Sequence, residues 1–159
     1  MTRAFAAIVL VSLWLGAALL TVTVVAPGAF AVLPTRALAG DMVGRVLPVL
    51  FAGAVVVPVL ALAMVPRTSR TALAMVAGGV AVVAACLALC VVDPRLAALR
   101  AVVGFIDQLP PADPRRTLFG LLHAASVALL GVALLAHAAL LVALIRATVR
   151  RDPSTREAR

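Results

Sequence analysis

The residues best suited to chemistry include two histidines and a serine in the last third of the chain. His123, Ser126 and His137 lie at spacings of 3 and 11, which place them on one face of a single helix. The 14 residues between the histidines span about 21 Å of helix, so the two rings of one chain cannot bind the same ion. Such a face is typical of packing with hydrogen-bond partners; the alternative is a ligand-binding role, most of all for His123.

Trp14 is the other side chain that could face a ligand, because it lies near the middle of an apolar stretch. It either packs in the interior or lines a pocket. An imidazole surrounded by lipid is costly unless it has a partner, so we expect His123 to face the interior, toward Trp14 or toward the segment around Asp93. Trp14, His123 and Ser126 therefore form the candidate polar site, at the end of the protein away from the termini if it binds a ligand.

Sulfur-containing side chains follow one stripe of another apolar stretch. Met75, Cys86 and Cys90 carry soft ligand atoms that suit Cu(I), and a stripe of them could form a metal path. Cysteine also behaves as a small apolar residue, which lets helices approach closely, and this interpretation is favoured. Two cysteines four residues apart on a helix cannot form a disulfide.

Motifs of enzymes are absent from the sequence. There is no nucleophile paired with a base, no glycine-rich phosphate loop and no zinc-binding cluster of usual spacing. The sequence therefore predicts a protein that is not an enzyme and that holds no cofactor.

The elements that carry these residues are predicted from the distribution of charge. The chain is 65% hydrophobic, which exceeds the roughly half of a soluble domain. It contains four stretches of 21 to 32 residues without Asp, Glu, Lys or Arg, and about 20 apolar residues suffice to cross a bilayer as a helix. The first apolar run is also longer than the roughly 7–15 residues of a signal peptide core. We predict an all-α membrane protein with four transmembrane helices and no acid or arginine within them.

The predicted organisation is one transmembrane domain over residues 1–149, followed by a polar tail over residues 150–159 that we expect to be disordered. The predicted spans cover residues 4–26, 46–65, 71–92 and 117–145. Thr35 is a suitable cap for a partly apolar interfacial segment that leads into the second span. Pro48 and Pro58 lie in or beside that span and predict bends rather than a functional hinge.

The tripeptide Asp-Pro-Arg occurs twice and predicts two helix starts. Aspartate accepts hydrogen bonds from the free N–H groups at a helix start, and proline is favoured at the first helical position. Asp93 is thus the predicted cap of a short interfacial helix over residues 94–107, between the third and fourth spans. Asp113 is the predicted cap of the fourth span.

The net charge of +8 comes entirely from arginine, which is typical of a GC-rich genome and so of a bacterial inner membrane. These arginines lie in short loops and at the C-terminus, where membrane proteins hold them, which argues against nucleic acid. The side of the termini holds eight arginines and the other side six. We expect both termini in the cytoplasm, because bases favour that side.

Short motifs in a fixed order resemble those of a known family. They are Leu13-Trp14-Leu15-Gly16, Val25-Ala26-Pro27-Gly28-Ala29-Phe30, Ala39-Gly40, Val46-Leu47-Pro48-Val49-Leu50-Phe51, Asp93-Pro94-Arg95, and Phe119 with His123 and Ser126. This order is similar to that of the transmembrane-protein-205-like domain family, over about residues 5 to 146. The family resembles a wider copper resistance D-like group of four-helix membrane proteins, which implies copper handling or haem binding. The first span lacks the histidine of the haem-binding relatives, and Leu129-Leu130 stand where the family often has asparagine.

Three functions remain open from the sequence. The favoured one is a non-enzymatic structural or helper component of the membrane. The alternatives are binding or transport of a soft metal ion or small molecule, and a haem-containing oxidoreductase. The expected partners are the lipid bilayer, with another membrane protein or a second copy of the chain, and no nucleic acid.

Overall fold

Four long helices make up almost all of the protein. The computed structural model describes residues 3–67, 70–104 and 106–150, and these contain no strand. The helices are α1 (Arg3–Val32), α2 (Arg36–Met64), α3 (Ala72–Val103) and α4 (Pro114–Val149), and each is long and apolar enough to cross a membrane. The chain is therefore a multi-pass membrane protein of the all-α class, as the charge-free stretches predict. The predicted tail beyond Arg150 lies outside the described residues.

The helices form a ring in which each packs against the next in sequence, and α4 returns to pack against α1. Many residues at the contacts are alanines, and they are most frequent on α3, where the buried ones are Ala74, Ala77, Ala81, Ala84, Ala85 and Ala88. Small side chains let helix backbones approach closely, which is how helices associate in lipid. The outer surface carries large exposed apolar side chains, such as Leu13 and Leu135, as a bilayer requires.

Two of the helices continue through a proline by means of a wider turn. In α1 a π-helical turn, Thr21–Val25, precedes Pro27, and in α3 another, Ala88–Val92, precedes Pro94. A proline ring clashes with the preceding turn of an ordinary α-helix, and a π turn widens the helix at that point. Both helices therefore run on, to Val32 and Val103.

This continuity corrects two predictions. Asp93 does not cap a separate interfacial helix: it lies inside α3, and its backbone N–H bonds to the carbonyl of Ala88 in the π turn. The segment before the second span is likewise part of α2, which begins directly after Thr35. Acids and arginines consequently lie within the long helices, in the parts that extend beyond the predicted spans of residues 4–26, 46–65, 71–92 and 117–145.

The predicted caps at Thr35 and Asp113 are present. The hydroxyl of Thr35 accepts a hydrogen bond from the Leu38 N–H at 3.2 Å. Asp113 Oδ1 accepts one from the Arg115 N–H at 2.8 Å, at the start of α4. Gly104 follows α3 with a φ of 67°, a positive value that favours glycine. The two helices are thus joined by a short connection at the end of the bundle away from the termini.

Candidate ligand-binding cavity

A cavity of about 840 Å³ is lined mainly by residues of α2, α3 and α4, at the end of the bundle away from the termini. We call it the end cavity. Its polar lining residues are Arg36, Asp41, Asp93, Arg100, His123 and Ser126. Its apolar lining includes Phe30, Leu47, Leu89, Leu96 and Phe119. A pocket of this size, largely apolar with a few convergent polar groups, is typical of small-molecule sites.

Two polar atoms in the wall of the end cavity are buried and unpaired. Asp93 Oδ2 has no hydrogen-bond partner among the described residues, and neither has the hydroxyl oxygen of Ser126. Ser126 is only 1% exposed. Buried polar atoms are nearly always hydrogen-bonded, because leaving them unpaired is costly. The two atoms come from different helices, so the cavity wall offers unused hydrogen-bonding capacity from two sides.

Arg100, which lines the end cavity, packs its guanidinium against the Phe119 ring and into the space beside Gly44. Its guanidinium carbon lies 5.4 Å from the centre of the Phe119 ring, within cation–π distance. A Cβ atom at Gly44 would lie 2.9 Å from Arg100 Nη1, so the absence of a side chain at Gly44 makes room for the guanidinium. The positive charge of Arg100 is therefore fixed beside the opening between α2 and α4.

His123 lines this cavity with Asp93 and Ser126, but it is an exposed residue and is not buried inside the bundle as expected. Its ring is parallel to that of Phe119, with centroids 6.3 Å apart and an interplanar angle of 1°. The structure thus brings together His123 and Ser126 of the candidate polar site and adds Asp93 to them. It does not bring Trp14, which lies deeper in the bundle.

Trp14 instead forms a second polar cluster with His137 in the middle of the bundle. Its ring stacks on that of His137, with centroids 3.8 Å apart at 23°. The indole N–H donates a hydrogen bond to the carbonyl of Leu50 at 3.0 Å. A Cβ atom at Gly53 would lie 2.8 Å from the Trp14 ring, so this glycine allows α1 and α2 to approach.

His137 is fully buried beneath Trp14. Its Nδ1 lies 2.8 Å from the carbonyl oxygen of Ala133, which fixes Nδ1 as the protonated donor. Nε2 is left as an acceptor, with no donor among the described residues. His137 was not placed in the candidate polar site, although a signal exists: Trp14 and His137 lie about 17 and 18 Å along their helices from the same end of the bundle. Two polar rings at equal depth are expected to meet.

The sulfur-containing residues lie outside both clusters. Cys86 and Cys90 are exposed on the outer surface of α3, and Met75 is 49% exposed. The described residues contain no group of three His, Cys, Asp or Glu side chains that could hold a metal ion. The copper path that the stripe suggests is therefore not formed inside the bundle.

Asp113 lies at the start of α4, outside the spans. Its carboxylate pairs with the Arg115 side chain, with Oδ2 2.6 Å from Nη2, and also accepts the backbone bond that caps the helix. The side-chain bond from Arg115, followed by the backbone bond, lowers the pKa of Asp113 to about 2. Asp113 thus serves the helix start and does not line the end cavity.

Comparison with known proteins identifies a family. The sequence profile of the family described as Domain of unknown function (DUF4149) matches residues 9–103, which is more than half of the chain. The match includes Arg36, Asp41, Asp93 and Arg100 of the end cavity and stops before α4. No curated protein and no solved structure matches the chain.

Proposed function

We propose that this chain, which belongs to the family described as Domain of unknown function (DUF4149), is a non-enzymatic membrane protein that holds a small amphiphilic molecule in its end cavity. The observation that carries the proposal is the pair of buried, unpaired atoms Asp93 Oδ2 and Ser126 Oγ beside about 840 Å³ of space. A bound molecule would supply the missing hydrogen bonds. The presence of this cavity favours a ligand-binding role over a purely structural or helper role.

The lining defines the chemistry of this molecule. A carboxylate oxygen accepts a hydrogen bond, and a serine hydroxyl donates or accepts one. A hydroxyl or amino head group satisfies both Asp93 and Ser126. The apolar wall, which includes Leu47, Leu89 and Leu96, suits a hydrocarbon portion. The ligand class is therefore an amphiphile with a small hydrogen-bonding head.

Binding without catalysis is supported by the state of Ser126. A serine nucleophile needs a base within hydrogen-bond reach. Within the described part of the chain, Ser126 Oγ has no hydrogen-bond partner, so no bond to the His123 ring in the same wall supports a nucleophilic role. The copper or haem chemistry implied by the resemblance to the copper resistance D-like group stays a prediction, because no ligand set gathered among the described residues supports it.

We also infer an inner-membrane location with both termini in the cytoplasm. The support is the count of eight arginines on the side of the termini against six on the other. Reporter fusions after Arg70 and after Arg159 should both report the cytoplasm. A periplasmic signal from both would reverse the orientation.

The binding proposal is tested by filling the cavity from its rim. Ala97 and Ala98 are adjacent exposed residues of α3, but only Ala97 lines the end cavity. Ala97→Phe and Ala98→Phe therefore add the same side chain inside and outside the site. The wild type and both variants are purified in mild detergent, and small molecules extracted from each are compared by mass spectrometry.

We expect an amphiphile that co-purifies with the wild type and with Ala98→Phe but is depleted from Ala97→Phe. Ser126→Ala should weaken its retention, whereas Ser12→Ala, at an exposed serine of α1, should not. Equal amounts in all samples would refute the end cavity as the site. If no molecule co-purifies with the wild type, the structural or helper role is favoured instead.

A further inference from the structure

A second cavity lies at the opposite end of the bundle, beside the termini. It has a volume of about 570 Å³ and is lined by the start of α1, by the end of α2 and by residues 65–67 and 70, which follow α2. Three of its lining residues are arginines: Arg3, Arg67 and Arg70. None of the described residues that line it is acidic. We call it the arginine cavity.

Among the described residues that line the cavity, no acid balances the charge of the three arginines. Arg70 Nε is buried and has no hydrogen-bond partner within the described residues. Like charges brought together repel, and a buried guanidinium donor without an acceptor is costly. The guanidinium fork matches the oxygens of phosphate, to which it donates two parallel hydrogen bonds. An anion with several oxygens would relieve both the repulsion and the unpaired Nε.

The location of the cavity adds two features. The described part of α1 begins at Arg3, so the positive end of its helix dipole faces the cavity. The remaining wall is apolar and includes Ala4, Met64 and Val65. α2 ends at Met64, so the cavity lies where a transmembrane helix reaches the membrane surface. Charge and apolar wall together match a phosphate group that is attached to acyl chains.

We propose that the arginine cavity binds the phosphate of an anionic membrane lipid, in the leaflet on the side of the termini. Basic pockets between transmembrane helices commonly hold such head groups. This site is separate from the end cavity and does not depend on the amphiphile proposed there.

The test uses the full-length protein in uncharged detergent and three probes. These are dioctanoyl phosphatidylglycerol, dioctanoyl phosphatidylcholine and inorganic phosphate, with binding followed by native mass spectrometry. Arg70→Gln removes one guanidinium from the cavity. Arg146→Gln removes the same charge from an exposed arginine on the same side that does not line the cavity, and is the matched control.

The wild type should bind phosphatidylglycerol more tightly than phosphatidylcholine, and Arg70→Gln should weaken phosphatidylglycerol binding about fivefold, the effect of roughly one basic residue near the membrane surface. Arg146→Gln should bind as the wild type does. Arg3→Gln and Arg67→Gln provide the same measurement if Arg70→Gln does not fold. Equal binding of both lipids, or equal loss in the control, would overturn the site. Binding of inorganic phosphate alone would overturn the assignment to a lipid.

Discussion

The middle of the bundle and the end cavity both contain polar side chains among long apolar helices, but the two regions differ in how these side chains are hydrogen-bonded. In the middle, Trp14 and His137 stack at 3.8 Å, and each donates to a backbone carbonyl. At the end cavity, the lining residues Asp93 and Ser126 each have a buried oxygen without a hydrogen-bond partner in the described part of the chain.

The difference shows when an unpaired polar atom indicates a binding site. His137 Nε2 is also without a described partner, but the Trp14 ring covers His137 and leaves it fully buried. Asp93 and Ser126 differ from His137 in that both residues line the end cavity, whereas His137 does not. The middle is therefore expected to govern stability, and the end cavity to govern binding.

Removal of Trp14 should have the largest effect on stability. Trp14→Ala leaves a cavity in the middle of the bundle and removes the stack on His137, so we expect a loss of about 3–5 kcal/mol in the free energy of unfolding. The measurement is unfolding by denaturing detergent. Leu13→Ala, at a neighbouring residue that is 67% exposed, is the control and should lose far less. Similar losses in both variants would show that the middle is not the stabilising region.

The close approach of α2 to Trp14 can be tested at Gly53. A Cβ atom there would lie 2.8 Å from the indole ring, so Gly53→Ala should destabilise the bundle by about 1–3 kcal/mol through overpacking. Gly16 has open space around its Cβ position, and Gly16→Ala should stabilise its helix by about 0.5–1 kcal/mol. The two alanine substitutions are therefore expected to have opposite signs. If they have the same sign, the contact between Gly53 and Trp14 is not tight.

Replacement of His137 tests whether this buried imidazole is needed for stability or for ligand binding. His137→Leu places an apolar side chain beneath Trp14 and removes the unpaired Nε2. We therefore expect the free energy of unfolding to change by no more than about 1 kcal/mol. Retention of the amphiphile in the end cavity should not change. A variant that folds normally but loses the bound molecule would show that the two regions are coupled.

The architecture could be predicted from the sequence because charge is excluded from lipid over a known length. Each charge-free stretch corresponds to one long helix. The continuation through Pro94 could not be predicted, since an Asp-Pro pair suits a helix start and also occurs here in a helix that widens into a π turn. This ambiguity placed Asp93 at a cap, whereas it lines the end cavity.

The residues of the site were predicted in part. His123 and Ser126 were found because polar groups are rare in the spans, and the same argument applies to His137 and Trp14. Their division into two clusters depends on helix packing, which one sequence does not specify. The roles of Gly44 and Gly53 could not be predicted from the sequence, because each depends on a side chain of another helix, Arg100 or Trp14, that packs against the glycine.

The smallest expected effect concerns Asp113, which lies at the same end of the bundle as Asp93 but forms an ion pair with the nearby Arg115. Arg115 lowers the pKa of Asp113 to about 2, below the value of about 3.9 expected in an unfolded chain. The contribution of Asp113 to stability is therefore complete above about pH 5 and is lost as the pH falls through 4 toward 2.

Asparagine is also a good cap, so Asp113→Asn keeps the helix start but loses the charge. We expect its melting temperature to depend less on pH than that of the wild type between pH 5 and 2, with a small difference because the pair is exposed to solvent. Identical pH profiles would show that Asp113 acts only as a hydrogen-bonding cap, whereas Asp113→Ala should lower the melting temperature at every pH.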